Sequence, residues 1–277
     1  MEKIKTLFDQ YYDDWLPLCP SAGQIITKLE ADGETIKNDH IALRTLQSKE
    51  FGVEAIAQPF LDLGYVFKGD YIFKEKKLRA RHLEHPSDAP RVFISELEFG
   101  KLGKETQSVC QNILNNLKKN QKHSCDLGLS GRSWPFSKAV YDALYRESEY
   151  AAWFYAFGLR ANHFTISFNH LNGFSSITDL NIWIKKAGFS LNDSGGEIKG
   201  NPECFLMQSS TMSDDVPIVD DKCGQIFKIP GCYLEFAQRL PDASGQFYGG
   251  FVANSADKIF ESTSRSSLDQ QPNRLKY

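Results

Sequence analysis

What constrains this chain most is a plan that occurs twice: an Asp-His or Asn-His pair opens an alternating strand, and a strand carrying Glu closes the segment. In the first copy DHIALRTL (39–46) alternates polar and apolar residues, and a helix-like stretch follows over about 50–62. Gly64-Tyr65 restarts the chain, and extended runs at 65–73 and 77–84 lead to RVFISELEF (91–99). The second copy has NHFTISFN (162–169), a helix over 177–187, Gly188-Phe189, two more extended runs and GCYLEFAQ (231–238). This order predicts an α+β fold in which two βαβββ modules form a cup-shaped mixed sheet.

Helices surround the plan. Ile4, Leu7, Phe8, Tyr11, Tyr12 and Trp15 recur at helical spacing over 2–16, and Ser21 to Ala31 reads as a second helix after Pro20. Between the copies, 105–119 and 137–157 read as two more helices. The division is therefore an N-terminal helical segment (1–36), a first module (37–100), a helical insertion (101–160), a second module (161–240) and a tail (241–277), together one compact catalytic domain.

Composition narrows the partner. A formal net charge of −3 offers no positive field for nucleic acid, and the run Lys118-Lys119-Asn120-Gln121-Lys122-His123 reads as a solvated helix end or loop. The opening MEKIKTLFDQYYDDW lacks the apolar run of a secretory leader, and no stretch is apolar enough to span a membrane, so a cytoplasmic location is expected. Six cysteines without a CxxC suit reduced thiols. The expected partner is a small molecule.

Side chains alternate across a strand, so His40, Ala42 and Arg44 share one face, as do His163, Thr165 and Ser167, and Tyr233, Glu235 and Ala237. A single strand histidine is ordinarily a hydrogen-bonded, half-buried residue. Two at equivalent places, with Glu235 in a closing strand, compose a ligand set instead. Two imidazoles and a carboxylate leave up to three positions open, the arrangement by which non-haem iron(II) holds a chelating substrate and O2, unlike a closed zinc site. Arg44 lies four residues beyond His40, roughly 13 Å along the strand. Its planar fork suits the remote carboxylate of such a substrate, the alternative being an exposed or structurally paired arginine. Glu96 and Glu98 read either as acids supporting the metal from behind or as solvated rim charges. His82, His85, His123 and His170 lack a counterpart in the other copy and read as ordinary histidines.

Eight segments, NDHIALRT (38–45), FLDLGY (60–65), PRVFISEL (90–97), RESEYAAW (146–153), NHFTIS (162–167), QSST (208–211), PGCYLEFAQR (230–239) and NSADKIFEST (254–263), occur in the order found in a known family. Over most of its length the chain resembles the 2-oxoadipate dioxygenase/decarboxylase family in its shorter form, a branch of the vicinal oxygen chelate superfamily. The resemblance implies that His40, His163 and Glu235 bind the metal, that Arg44 contacts the 2-oxo acid, and that Gln208, Ser209 and Ser210 line the pocket. It implies iron(II), with zinc or nickel as alternatives in purified protein, and conversion of 2-oxoadipate and O2 to 2-hydroxyglutarate and CO2. The chain departs from the family in NSADKIFEST, which has one residue more than the usual NADKIFEST. Two other classes stand beside this reading: a redox-neutral glyoxalase-type lyase or isomerase with Glu96 as a fourth ligand, and a module that binds a small acid without turnover.

Overall fold

The computed structural model of the chain describes residues 1–120 and 127–264. Gln121, Lys122 and His123 of the basic run, Cys125 and the tail beyond 264 lie outside the described residues. The chain opens with α1 (Glu2–Trp15), which buries Ile4, Leu7, Phe8, Tyr11 and Trp15, and α2 (Pro20–Ala31), which carries Pro20 in its first turn where an amide is not needed. The first half is β1 (Asn38–Leu46), α3 (Val53–Asp62), β2 (Val66–Phe73), β3 (Leu78–Glu84) and β4 (Arg91–Leu97). The insertion holds α4 (Lys104–Asn120), α5 (Lys138–Glu147) and α6 (Glu149–Phe157). The second half is β5 (Arg160–Ser167), α7 (Ile177–Lys186), β6 (Lys199–Asn201), β7 (Leu206–Ser210), β8 (Asp215–Val219), β9 (Ile226–Pro230) and β10 (Tyr233–Arg239). After it come α8 (Ala253–Ile259) and a 3₁₀ turn, Phe260–Thr263.

Eight strands form one curled mixed sheet in the order β2-β3-β4-β1-β5-β10-β7-β6. Read outward from the central antiparallel β1/β5 pair, both halves repeat: β1 pairs with β4 in parallel, and β5 pairs with β10 in parallel. One face is packed under helices. There Ile41, Leu43, Phe164, Ile166, Leu234 and Phe236 are buried, and the Trp15 ring lies 4.9 Å from that of Phe164. Each such side chain contributes about 1.5–3 kcal/mol through burial.

Two expectations need correction. The helix expected over 137–157 is two helices, because Ser148 takes an extended conformation and its hydroxyl caps α6 by accepting from the Ala151 amide. The second copy has four short strands where two extended runs were read, since β8 and β9 pair with each other as a separate hairpin before the chain returns to β10. Within the described part of the tail, α8 and the 3₁₀ turn pack across the sheet face opposite the helix layer, burying Phe251, Ile259 and Phe260. Among the described residues no helix is long and apolar enough to cross a membrane.

Candidate metal centre

The central strands carry an irregularity that builds the site. In the β1/β5 pairing Asn38 faces Ile166 while His40 faces Thr165, and Ala42 faces His163 while Leu43 faces Ala161. Asp39 and Asn162 are therefore each an extra residue in the ladder, directly before His40 and His163. A bulge bends its strand and re-aims a side chain. Here it lets Asp39 lie beside His40 rather than on the opposite face.

His40, His163 and Glu235 present ligand atoms that all lie within 4.8 Å of one another, and all three residues are buried. His40 Nε2 is 3.6 Å from Glu235 Oε1, and His163 Nε2 is 3.2 Å from Glu235 Oε2. Asp39 Oδ1 lies 2.7 Å from His40 Nδ1. Burial alone would raise the Asp39 carboxyl. The Arg239 guanidinium, hydrogen-bonded to both its oxygens at 2.8 Å, and His40 instead hold it well below the usual carboxylate range. An ionised carboxylate only accepts, so His40 carries its proton on Nδ1 and turns Nε2 into the site as an acceptor, 3.1 Å from the Thr165 hydroxyl, where a cation can take its lone pair. The corresponding neighbour of His163 is weaker, with Asn162 Oδ1 at 3.3 Å from Nδ1.

Charge favours a cation here. Burial pushes both imidazoles below their ordinary value; Asp39 opposes this at His40, and the His40 ring adds to it at His163. Burial pushes the Glu235 carboxyl up to about 8, against the opposing hydrogen bond from the Gln208 amide. Two neutral imidazoles and a buried carboxyl form a donor set that a divalent metal completes, so the residues fit the expected ion.

The structure sorts the other expected residues by face. Arg44 shares the ligand face and is buried against the rings of Tyr150, Trp153 and Phe260. It is also paired, donating to Glu149 Oε1 at 3.0 Å and to Thr263 Oγ1 at 3.2 Å. Gln208 lines the metal cavity, and Ser210, on the same face, meets Ser262 at 2.9 Å. Ser209 points the other way and donates to Asn181 of α7 at 2.8 Å. Glu96 is likewise on the helix face. It accepts from the Val53 amide at 2.9 Å and from Arg79 at 2.6 Å, so it caps α3 and does not reach the metal. Its strand neighbours Phe93 and Ser95 take the ligand face, and alternation sends Glu96 away. Glu98 pairs with Lys101 at 2.6 Å as a rim charge. His82 is held by Tyr71 and Glu84, His85 by Ser87, and His170 by Ser167.

Sequence reasoning missed Asp39 and Arg239, and it placed Tyr233 on the face of Glu235 without giving it a role. The Asp-His and Asn-His pairs did mark Asp39, but regular alternation placed it on the wrong face. The cavity bounded by His40, His163, Glu235, Gln208, Tyr233 and the tail aromatics Phe251 and Phe260 holds only about 20 Å³. A groove of about 560 Å³ beside α1 and α2 is far larger but holds no ligand set, so donor chemistry rather than size locates the site.

Fold and site together define an α+β protein whose curled eight-stranded sheet gathers a buried His-His-Glu set suited to a divalent metal, with the two histidines from equivalent strands and the glutamate from the second half. Residues 18–246 match the 2-oxoadipate dioxygenase/decarboxylase family, and the chain belongs to that family. It is 34% identical over 296 residues to the chloroplastic/amyloplastic 2-oxoadipate dioxygenase/decarboxylase of Oryza sativa subsp. japonica, covering 97% of this chain and 80% of that protein. The crystal structure of the Oryza sativa hydroxyglutarate synthase in complex with 2-oxoadipate superposes with a TM-score of 0.87 at 33% identity, over 95% of this chain and 93% of that one. A crystal structure from Shewanella frigidimarina NCIMB 400 gives 0.83 at 45% identity, over 90% and 98% of the two chains.

Proposed function

We propose that this chain is an iron(II)-dependent dioxygenase/decarboxylase that converts 2-oxoadipate and O2 to 2-hydroxyglutarate and CO2. The observation that carries the reading is the buried His40, His163 and Glu235 set at the head of a closed cup, in a chain of this family. Iron(II), when bound, supplies the redox chemistry and a common template for a 2-oxo acid and O2; zinc or nickel suit the same donors in purified protein. The chain's own residues supply the rest. Asp39 fixes the His40 tautomer, and Gln208 steadies the Glu235 carboxylate. Arg44 receives the distal carboxylate of the substrate in competition with Glu149, and Ser210 steadies the tail through Ser262. Phe251 and Phe260 exclude water. A six-carbon dicarboxylic acid exceeds a space of about 20 Å³, so the tail yields when substrate enters.

Because the ligands come from both halves, the halves act as one catalytic unit. The glyoxalase-type alternative asks for a fourth carboxylate ligand, and Glu96 sits on the other face of the sheet. An oxygen-electrode assay with iron(II) and a panel of 2-oxo acids tests the reading. Uptake is expected with 2-oxoadipate, while turnover without uptake would support the redox-neutral class and binding without any product would support the binding module.

A further inference from the structure

Among the described residues, two buried hydrogen-bond donors in the cup are without an acceptor. Tyr233 is fully buried and its hydroxyl has no partner, and the Nε of buried Arg44 has none either. Both residues occupy the ligand face. Tyr233 precedes Glu235 by two residues on β10, lines the metal cavity, and stacks its ring on His163 with centroids 4.7 Å apart.

Strand register orders these groups along the cup. His40, Thr165 and Glu235 lie on one level, since His40 faces Thr165 and Thr165 faces Glu235. Ala42, His163 and Tyr233 make the next level, and Arg44 opposite Arg160 the one after. Each step is about 7 Å along a strand. A molecule anchored at the ligands and reaching toward Arg44 must therefore pass the Tyr233 ring. An orphaned phenol costs free energy when buried and is tolerated where a ligand satisfies it.

We propose that Tyr233 is a substrate-contacting residue that, with Arg44, donates a hydrogen bond to the distal carboxylate of a dicarboxylic 2-oxo acid and so selects for a second acid group. The assignment rests on the reading of the chain as a 2-oxoadipate enzyme. Two orphaned donors on one wall are the complement of a carboxylate, whose oxygens accept from both without competing for one lone pair. The methylene carbons between the two ends of the substrate offer the phenol nothing to bond, so the far carboxylate is its acceptor.

Tyr233→Phe removes only the hydroxyl. At equal iron loading, KM for 2-oxoadipate is expected to rise roughly tenfold, the effect of one hydrogen bond to a charged group, with kcat changed much less. For 2-oxohexanoate, which has a neutral end, both constants should stay within about twofold. Calorimetric binding of 2-oxoadipate to the iron-loaded protein without O2 should weaken by the same factor as KM rises. Iron content should match wild type, and the Tm of the metal-free variant should equal or exceed that of wild type, since an unsatisfied polar group has been removed. A structural role would instead lower Tm and depress both substrates together, which would overturn the assignment, as would unchanged 2-oxoadipate binding. If wild type neither binds nor consumes 2-oxoadipate, the functional reading falls and this assignment falls with it. If wild type does both and the variant equals it, only the role of Tyr233 is wrong.

Discussion

At His40 and His163 the same ring nitrogen is left for a metal, yet the groups behind them differ in charge. Asp39 backs His40 as a carboxylate clamped by Arg239, whereas His163 has an amide oxygen 3.3 Å away. With His40, His163 and Glu235 as the whole proposed ligand set, each of the three should be indispensable. His40→Ala, His163→Ala and Glu235→Ala are each expected to lose iron and turnover, and metal analysis after reconstitution checks this; full occupancy in any one would remove that residue from the set. The proton competing with the metal sits chiefly on Glu235. Its carboxyl is raised from 4.5 to about 8 by burial, while both histidines are lowered and stay neutral to more acidic pH. Metal binding therefore releases one proton below about 8, and affinity should rise with pH up to that value. In the metal-free protein the sign is opposite for stability: a raised carboxyl stabilises the fold at low pH, and that contribution is lost as pH rises from 4.5 through about 8. Metal titrations at several pH values should show this slope. Affinity independent of pH between about 6 and 8 would contradict it.

At the scale of elements, strand alternation made His40, His163 and Glu235 legible, because a period of two is enough to group residues on a face. It failed where the ladder is irregular and where a face could not be read from one strand. Asp39 occupies a bulge, which no alternation rule locates. Glu96 looked like a ligand neighbour because it closes the first half as Glu235 closes the second, but the two glutamates face opposite ways. Arg239 reaches Asp39 from the end of β10 and Phe251 reaches the site through the return of the tail, and long-range packing of either kind leaves no local period. Ser148 broke a helix that apolar spacing alone ran straight through. The opposed faces of the glutamates give a clean comparison. Glu96→Ala removes the acceptor for Val53 and a partner of Arg79, whose own side chain is 40% exposed and so adds little. The variant should lose about 1–2 kcal/mol of stability, the worth of a helix cap and a buried hydrogen bond, and keep its iron. Chemical denaturation with parallel metal analysis checks this, and loss of iron from folded Glu96→Ala protein would return Glu96 to the centre.

For the whole molecule, the repeated half explains why a metal site exists and the departures from the repeat explain what it can do. β1 and β5 each bring a histidine to the central pair, so neither half alone can assemble the set. Only the second half adds a glutamate ligand; only the insertion adds α6, which packs Tyr150 and Trp153 against Arg44; and only the tail closes the mouth with Phe251 and Phe260. The central claim is that this enclosed site spends one O2 for each carboxyl group it removes. Simultaneous measurement of O2 uptake and CO2 release during turnover of 2-oxoadipate by the iron(II)-loaded protein tests it most directly. The account expects the two to match each other and the 2-hydroxyglutarate formed, whereas product or CO2 appearing at an undiminished rate without O2 uptake would contradict it.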